Sequence, residues 1–314
     1  MAGNIMLGRI VEIAGVGRKL SLHRGFLTIA GPDGVLGQVA LADIDALMVT
    51  NPATNITGQL LAALAERGVP VVICGADFKP AAYLLPVDGH YAQGDRVQAQ
   101  ADASLPTRKR LWAELVRAKI LAQAALLVRI GQNPIPVAAL AERVKSGDPD
   151  NCEAQAAQRY FPIAFGAGFT RSREDLIANA FLNYGYTVLR TATARAIVAS
   201  GLHPSLSLAH RSRGEALRLA DDLMEPFRPA VDLAALGLIR AGHETMTQAA
   251  KRDLVAVLHA DYLTTEGMAP LANVLGRLAM SLGQIFLGER KTLALPKSAI
   301  PVAEPAAGPA DAAA

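Results

Sequence analysis

Residues 208–229 combine a histidine with a cluster of carboxylates. His210 lies in a basic loop, and Asp221, Asp222 and Glu225 follow on a predicted helix. Residues three and four apart share one face of a helix, so Glu225 can lie beside either aspartate. A neutral imidazole together with clustered carboxylates can bind a divalent cation. A structural histidine followed by an ordinary acidic surface helix accounts for the same residues equally well.

Glu153 is a third candidate ligand, far upstream of the other two. It lies on a predicted helix among small residues, Ala154, Ala156 and Ala157. Small side chains let a second helix approach closely, so the carboxylate would be partly buried and would need a partner, of which a metal ion is one. On this helix alone, an exposed glutamate is the more common outcome.

Composition limits the class of protein. The chain has 314 residues, which predicts two domains, and its net charge of +3 is too small to identify a nucleic-acid binder. Cys74 and Cys152 have no CxxC spacing, so neither a disulfide framework nor a structural zinc site is expected, as in a reducing cytoplasm. There is no apolar run of about 18 residues and no signal-peptide pattern. These features predict a cytoplasmic protein with no membrane segment.

The order of strand and helix signals predicts an α+β fold of two domains. Short strand signals and one small helix indicate a β-rich domain over residues 1–92, followed by a Pro- and Gly-punctuated linker over 93–105. Longer periodic segments predict a larger, all-α domain over 106–295. The last nineteen residues contain four Pro and eight Ala and no aromatic residue, which predicts a disordered tail over 296–314. Helices of the second domain are predicted over 107–130, 148–160, 172–200, 214–228, 233–241, 247–262 and 268–287.

Four segments together resemble a known family. They are residues 151–157 (NCEAQAA), 179–186 (NAFLNYGY), 201–204 (GLHP) leading to His210, and 219–229 (LADDLMEPFRP). Their order and spacing resemble the CRISPR adaptation integrase, the metal-dependent DNase and integrase subunit that inserts new spacers into CRISPR arrays, most of all the versions from type II systems. The likeness extends over about residues 8 to 295. Residues 207–209 (SLA) depart from it, because many relatives have Gly and an aromatic residue there.

The resemblance assigns roles to the candidate residues. It implies that Glu153, His210 and Glu225 hold Mg²⁺ or Mn²⁺, that Asp222 is a supporting acidic residue, and that Asp221 faces solvent. Basic residues near the site are candidates for contacts with DNA phosphates. They are Arg211 and Arg213 beside the histidine, Arg228, which could pair with the carboxylates instead, and the opening of the 107–130 helix with Arg108, Lys109, Arg110, Arg117 and Lys119.

The resemblance also implies a reaction and an assembly. The reaction is attack of a DNA 3′-hydroxyl on a phosphodiester at the repeat boundary, with hydrolysis as the variant that uses water. The substrate is double-stranded DNA, and the partners are a second copy of the chain, bound through the β-rich domain, and a small ferredoxin-like second adaptation subunit in a heterohexamer-type complex. Two alternatives stay open: a helical metal-dependent phosphohydrolase that acts on nucleotides, and a non-catalytic DNA-binding subunit.

Overall fold

The computed structural model describes residues 9–75, 80–87, 89–171, 176–210 and 216–302. The chain divides between Tyr91 and Ala92 into two compact units, each with its own set of internal contacts. The first unit is built mainly from strands, and the second mainly from helices. The predicted α+β organisation, β-rich and then helical, is confirmed.

The N-terminal unit contains two four-stranded sheets. Its elements are β1 (Arg9–Ile13), β2 (Lys19–His23), β3 (Phe26–Gly31), β4 (Gly34–Ala40), β5 (Ile44–Val49), β6 (Asn55–Ile56), α1 (Gly58–Glu66), β7 (Val71–Cys74) and β8 (Pro80–Leu84). One sheet has the order β1-β5-β7-β8, in which β5 pairs in parallel with β1 and β7, and β8 is antiparallel. The other has the order β4-β3-β2-β6, in which only β6 pairs in parallel.

The core of this unit is shared by both sheets and by α1. Leu20 of β2, Leu27 of β3, Leu47 of β5 and Leu60 of α1 are fully buried in one cluster. Residues 46–49 form a continuous buried apolar run, as expected for a strand that has parallel neighbours on both sides. Burial of these side chains is what holds the short strands together, because isolated hairpins are marginally stable in water.

The second unit is a group of helices with one small hairpin. Its elements are α2 (Gln93–Ala101), α3 (Leu105–Arg129), α4 (Ile135–Ala138), α5 (Cys152–Phe165), α6 (Ile177–Ala199), α7 (Arg218–Met224), α8 (Arg228–Arg240), α9 (Gln248–Ala256), β9 (Asp261–Thr264), β10 (Gly267–Pro270) and α10 (Leu271–Phe286). The antiparallel hairpin of β9 and β10 corrects the prediction of an all-α domain with a helix over 247–262. Gly267 adopts a φ of 109°, which permits the tight turn there.

The predicted linker over 93–105 is largely the helix α2, packed within the helical unit. Arg96 and Gln100 are buried on its inner face. Arg96 donates a hydrogen bond of 2.8 Å to the carbonyl of Ser200, at the end of α6. Gln100 donates to the carbonyls of His203 and Leu206 at 3.0 and 2.8 Å. These polar contacts join residues about a hundred positions apart, so no local sequence pattern predicts them.

The tail predicted over 296–314 is ordered over its first seven residues. The amide of Lys297 donates to the carbonyl of Leu263 at 2.7 Å, and the amide of Val302 donates to the carbonyl of Asp261 at 2.9 Å. Strand β9 thus supplies backbone partners that composition alone does not reveal. Residues 303–314 lie outside the described residues. No helix in the described part of the chain has the length and apolarity to cross a membrane.

Candidate active site

Glu153 lies in the first turn of α5, where side chains upstream fix the backbone. The helix begins at Cys152, later than the predicted start at Asp148. Asp148 nevertheless caps it, since its two carboxylate oxygens accept hydrogen bonds from the amides of Cys152 and Glu153 at 2.9 and 3.0 Å. Asn151 adds a second cap in a left-handed conformation, with a φ of 51°. The hydrogen bond from the backbone amide of Glu153 to Asp148 therefore helps to fix the position of Glu153.

Glu225 lies at a break between two helices. A single helix was predicted over 214–228, but α7 ends at Met224 and a 3₁₀ turn, Glu225–Phe227, leads into α8. Pro226 accounts for the break, because it has no amide hydrogen to donate to the carbonyl four residues earlier. Glu225 is only 3% exposed. A carboxylate buried to this extent requires charged or hydrogen-bonding partners.

Lys119 of α3 is the partner that Glu153 and Glu225 share. Its Nζ lies 2.6 Å from Oε1 of Glu153 and 2.5 Å from Oε2 of Glu225. The lysine side chain is 11% exposed. Burial lowers the pKa of Lys119, but the negative charges of Glu225 and Glu153 more than offset this and raise the pKa above its ordinary value. One ammonium group thus draws together two carboxylates from distant parts of the chain.

Arg228 holds the other oxygen of Glu225. Its Nε donates a hydrogen bond of 2.8 Å to Oε1, and its guanidinium lies 4.6 Å from the ring centroid of Tyr186. Of the two predictions for Arg228, pairing with a carboxylate is the one that is observed. Burial raises the pKa of Glu225, but the charges of Arg228 and Lys119 outweigh it and lower the pKa to about 2. Glu225 is therefore ionised at neutral pH despite its burial.

Asp222 organises the loop that carries His210. The aspartate is fully buried and accepts hydrogen bonds from the amides of Leu208, Ala209 and His210 at 2.6, 3.3 and 3.2 Å. It also lies 2.7 Å from Nδ1 of His210. Because a carboxylate only accepts, Nδ1 carries the hydrogen and Nε2 keeps its lone pair in the neutral ring. The hydrogen bond to Asp222 raises the pKa of His210, whereas burial opposes it.

The ring of His210 is also fixed by α3. Trp112 packs edge-on against it, with ring centroids 5.6 Å apart and planes at 82°. Trp112 and Lys119 are seven residues apart, so they lie on one face of α3 two turns from each other. This face of α3 therefore contacts both the histidine and the two glutamates.

Asp221 was predicted to face solvent, and the structure corrects this. It is 9% exposed and forms an ion pair of 2.6 Å with Arg190 of α6. The correction has a simple cause: Leu219, Ala220 and Leu223 are buried on several sides of the short helix α7, so its acidic residues have little access to water.

Three of the basic residues at the opening of α3 pair with other groups of the protein. Lys119 pairs with the glutamates, Arg117 donates to the carbonyl of Val144 at 3.0 Å, and Arg110 pairs with Glu114 at 2.6 Å. Lys109, Arg110 and Arg117 are nevertheless exposed, so a contact of this helix with DNA stays a prediction. The predicted phosphate contacts Arg211 and Arg213 lie outside the described residues.

The donor set is compatible with a divalent cation. Two carboxylates already meet at one positive charge, the ammonium of Lys119, which stands in for a cation between them. Oε2 of Glu225 is buried and accepts no hydrogen bond of good geometry despite its ionic contact with that ammonium. The described residues nevertheless include no three His, Cys, Asp or Glu side chains already arranged to hold a metal. Glu153 and Glu225 share a partner, whereas His210 is held separately by Asp222.

Two features of the site were missed by sequence reasoning. Lys119 was assigned to a basic stripe, although its position four residues after the buried Leu115 placed it on the apolar face of α3, which was a usable signal. The second is Asp232 of α8, a buried carboxylate that accepts hydrogen bonds from the hydroxyls of Tyr160 and Tyr186. Burial raises the pKa of Asp232 to about 6, and the two tyrosine hydrogen bonds act against the rise.

Comparison with known sequences identifies related proteins. The family model for CRISPR associated protein Cas1 matches residues 11–268. A CRISPR-associated endonuclease Cas1 from Neisseria meningitidis serogroup C is 40% identical over 247 residues, which is 77% of this chain and 81% of that protein. Another, from Pyrobaculum aerophilum, is 30% identical over 274 residues, covering 81% of this chain and 90% of that protein.

Solved structures agree with this at the level of the fold. A casposase bound to its integration product has a TM-score of 0.77 at 20% identity, covering 92% of each chain. A CAS1 protein from Thermotoga maritima has a TM-score of 0.72 at 14% identity, covering 91% of this chain and 99% of that one. With a family match over most of the sequence and relatives of 30 to 40% identity, the predicted resemblance is confirmed, and the chain belongs to the CRISPR-associated Cas1 family.

Proposed function

We propose that this protein is a metal-dependent DNA endonuclease and integrase that inserts spacer DNA into a CRISPR array. The observation that carries the proposal is the meeting of Glu153 and Glu225 at one positive charge, with His210 held alongside by Asp222, in a chain of the Cas1 family. In the joining step a DNA 3′-hydroxyl attacks a phosphodiester, a new P–O bond forms, and the bond to the 3′-oxygen of the cleaved strand breaks, so that this strand leaves as a 3′-hydroxyl. Attack by water in place of the DNA hydroxyl gives hydrolysis.

Glu153, Glu225 and Nε2 of His210 are the groups that would hold the metal. Carboxylates suit Mg²⁺, and an imidazole ligand favours Mn²⁺, so activity with either ion is expected. A bound cation of this kind polarises a phosphoryl oxygen and stabilises the negative charge that develops on it.

The residues around these groups have distinct tasks. Asp222 keeps the hydrogen of His210 on Nδ1, which directs the Nε2 lone pair away from the buried aspartate. Arg228 neutralises part of the charge on Glu225 and is braced against the ring of Tyr186. The attacking group belongs to the DNA or to water, so no side chain of the protein forms a covalent intermediate.

The proposed partners follow from the family. One structure with this fold is a chain of a Cas6-RT-Cas1–Cas2 complex, with a TM-score of 0.71 over 97% of this chain and 37% of that one. By analogy, we propose that the protein pairs with a second copy of itself through the β-rich unit and with a small ferredoxin-like second subunit. The predicted contacts of Arg211 and Arg213 with phosphates belong to this proposal.

A strand-transfer assay tests the function. The substrate is a branched duplex that mimics the joined product, because the reverse transesterification on it needs only one active site. We expect wild-type protein to release the branch in Mn²⁺ and not in EDTA. Glu153→Gln should reduce this by at least about a hundredfold, since it removes a carboxylate that would hold the cation acting on the reacting phosphate, and should still shift the same DNA in a gel.

The matched control is Glu142→Gln, which removes the charge of an exposed glutamate in the same unit and should change neither reading. Full branch release by Glu153→Gln would overturn the site assignment. Wild-type protein that binds DNA yet shows no metal-dependent chemistry would favour a non-catalytic DNA-binding subunit. Metal-dependent hydrolysis of nucleotides without any action on DNA would favour the phosphohydrolase.

A further inference from the structure

The ammonium of Lys119 is in an unusual place for a lysine. It is held by a buried stem, 11% exposed, with one carboxylate oxygen at 2.6 Å and another at 2.5 Å. Those oxygens belong to Glu153 and Glu225, the two proposed acidic ligands of the metal. The space between them is therefore occupied by a positive charge that the chain itself provides.

The ammonium of Lys119 can move away from the two carboxylates by rotation of its side chain, whereas the backbone of α3 is fixed. Helix α3 packs against α5 and against the 3₁₀ turn that contains Glu225, so its axis is fixed on both sides of the site. Lysine, by contrast, has a flexible four-carbon stem, and its charge can swing while the helix stays in place. Lys119 is thus built to leave the carboxylates without unfolding the helix.

We propose that Lys119 is an internal counter-ion that competes with the divalent cation for Glu153 and Glu225. This inference rests on the proposed metal-dependent function. Without metal, the ammonium holds the two carboxylates together and stabilises the helical unit. When metal binds, the ammonium moves out of the space between the two oxygens, so part of the binding free energy of the metal is used to displace it. Lys119 is accordingly a positioning residue that sets metal affinity.

Coulombic repulsion is the physical reason. A dication beside the carboxylates would lie a few ångströms from an ammonium that stayed in place. Like charges at that separation repel by more than the free energy of a tenfold change in affinity, even with substantial solvent screening. Removal of the lysine charge should therefore strengthen metal binding by on the order of tenfold or more. It should also weaken the metal-free fold, because two buried carboxylates lose a shared partner.

The chain carries its own reporter for the measurement. Trp112 is the only tryptophan, and its ring packs on His210. Paramagnetic Mn²⁺ bound at the site is expected to quench its fluorescence, so a titration of chelator-treated protein with Mn²⁺ gives the dissociation constant directly. Thermal unfolding in EDTA and in saturating Mn²⁺ gives the stability of the two states. Neither readout depends on DNA or on activity.

The variant is Lys119→Met, which keeps the length and apolar stem of the side chain without its charge. Its control is Lys145→Met, which removes an exposed lysine that also pairs with a carboxylate, Asp150, at 2.9 Å. We expect Lys119→Met to lower the dissociation constant for Mn²⁺ at least about tenfold, to unfold at a lower temperature in EDTA, and to gain more from Mn²⁺ than wild type does. The control should match wild type in all three.

Each outcome bears on the inference. Folded Lys119→Met that binds Mn²⁺ no more tightly than wild type, or less tightly, overturns the competition. If Lys119→Met does not fold, Lys119→Gln takes its place, since it keeps a hydrogen-bond donor for Glu153 without the charge. Failure of both wild type and Lys119→Met to bind Mn²⁺ refutes the proposed metal function, and this result is distinct from a failure of the competition alone.

Discussion

Asp222 should be the residue on which the geometry around His210 depends most. It accepts three backbone hydrogen bonds and one from the imidazole, and it has no exposed surface. Asp222→Asn keeps the shape but turns one acceptor into a donor, so at least one buried N–H then faces another donor. Hydrogen bonds to a charged group contribute about 1.5–3 kcal/mol each, and a buried unsatisfied donor costs about 1–3 kcal/mol. Because these terms are not additive, the expected loss is about 3 kcal/mol.

Urea unfolding followed by Trp112 fluorescence measures this loss. The only tryptophan lies in α3, so the signal reports the helical unit, and its contact with His210 makes it sensitive to release of the loop as well. Asp102→Asn is the control, because Asp102 is an exposed aspartate that accepts a hydrogen bond of 2.8 Å from Gln98. The control should change the free energy of unfolding by less than about 0.5 kcal/mol. Hydrogen exchange at residues 208–210 should accelerate only in Asp222→Asn.

The effect of Asp222→Asn should also depend on pH in metal-free protein. The folded-state pKa of His210 is raised, mainly by Asp222. Its protonated form therefore adds stability that is fully present below the unfolded pKa of about 6.5 and is lost as pH rises through the folded value. The variant lacks this contribution, so the difference in the free energy of unfolding between wild type and variant should be larger at pH 6 than at pH 9. A gap of less than about 0.5 kcal/mol, or one that is the same at both pH values, would refute the reasoning.

Two further predictions concern the helices behind the site. Burial raises the pKa of Asp232 to about 6. Between pH 4.5 and 7 the folded protein releases a proton that the unfolded protein has already lost, so the free energy of unfolding of wild type should fall by about 2 kcal/mol relative to that of Asp232→Asn. Urea-unfolding free energies that change in parallel with pH in the two proteins would contradict this. A Cβ on Gly185 of α6 would lie 2.4 Å from Cγ1 of Val231 in α8, so Gly185→Ala should lower the free energy of unfolding by about 1–3 kcal/mol. Gly237→Ala is the control, because its new Cβ would have nothing within 4 Å. It should leave the free energy of unfolding unchanged or raise it by up to about 1 kcal/mol. Equal melting temperatures for the two alanine variants would count against the close approach of α6 and α8.

Local signals in the sequence were enough to find most of the helices. Helix α3 was predicted over 107–130 and is observed at Leu105–Arg129, because apolar periodicity is a short-range feature. Ser104, which caps the helix, was not part of that prediction. The boundaries that shifted are those at which one nearby residue caps or breaks the helix, as Asn151 does at α5 and Pro226 does after α7. The start of α5 moved to Cys152 because Asn151 caps it in a left-handed conformation, which spacing does not reveal.

Long-range pairing is what sequence could not supply. Asp221 was assigned to solvent because its partner Arg190 is on another helix, and α2 was taken for a linker because Arg96 and Gln100 find their partners about a hundred residues away. In each case the residue is of a polar type that is usually exposed, and it is buried here because of the way the helices pack. The same holds for Lys119, whose two partners are 34 and 106 positions further along the chain.

The two oxygens of Glu225 divide the site into a fixed half and an exchangeable half. Oε1 is bound by Arg228, which packs on Tyr186, and Tyr186 in turn donates to the buried Asp232, so this side is anchored through a series of three contacts. Among the described residues, Oε2 contacts only the flexible ammonium of Lys119. A cation that enters the site can therefore take the place of the ammonium at Oε2, whereas Oε1 stays bound to Arg228. It follows that substitution of Arg228 should disturb the position of Glu225 itself, whereas substitution of Lys119 should leave the carboxylate in place and change what it binds.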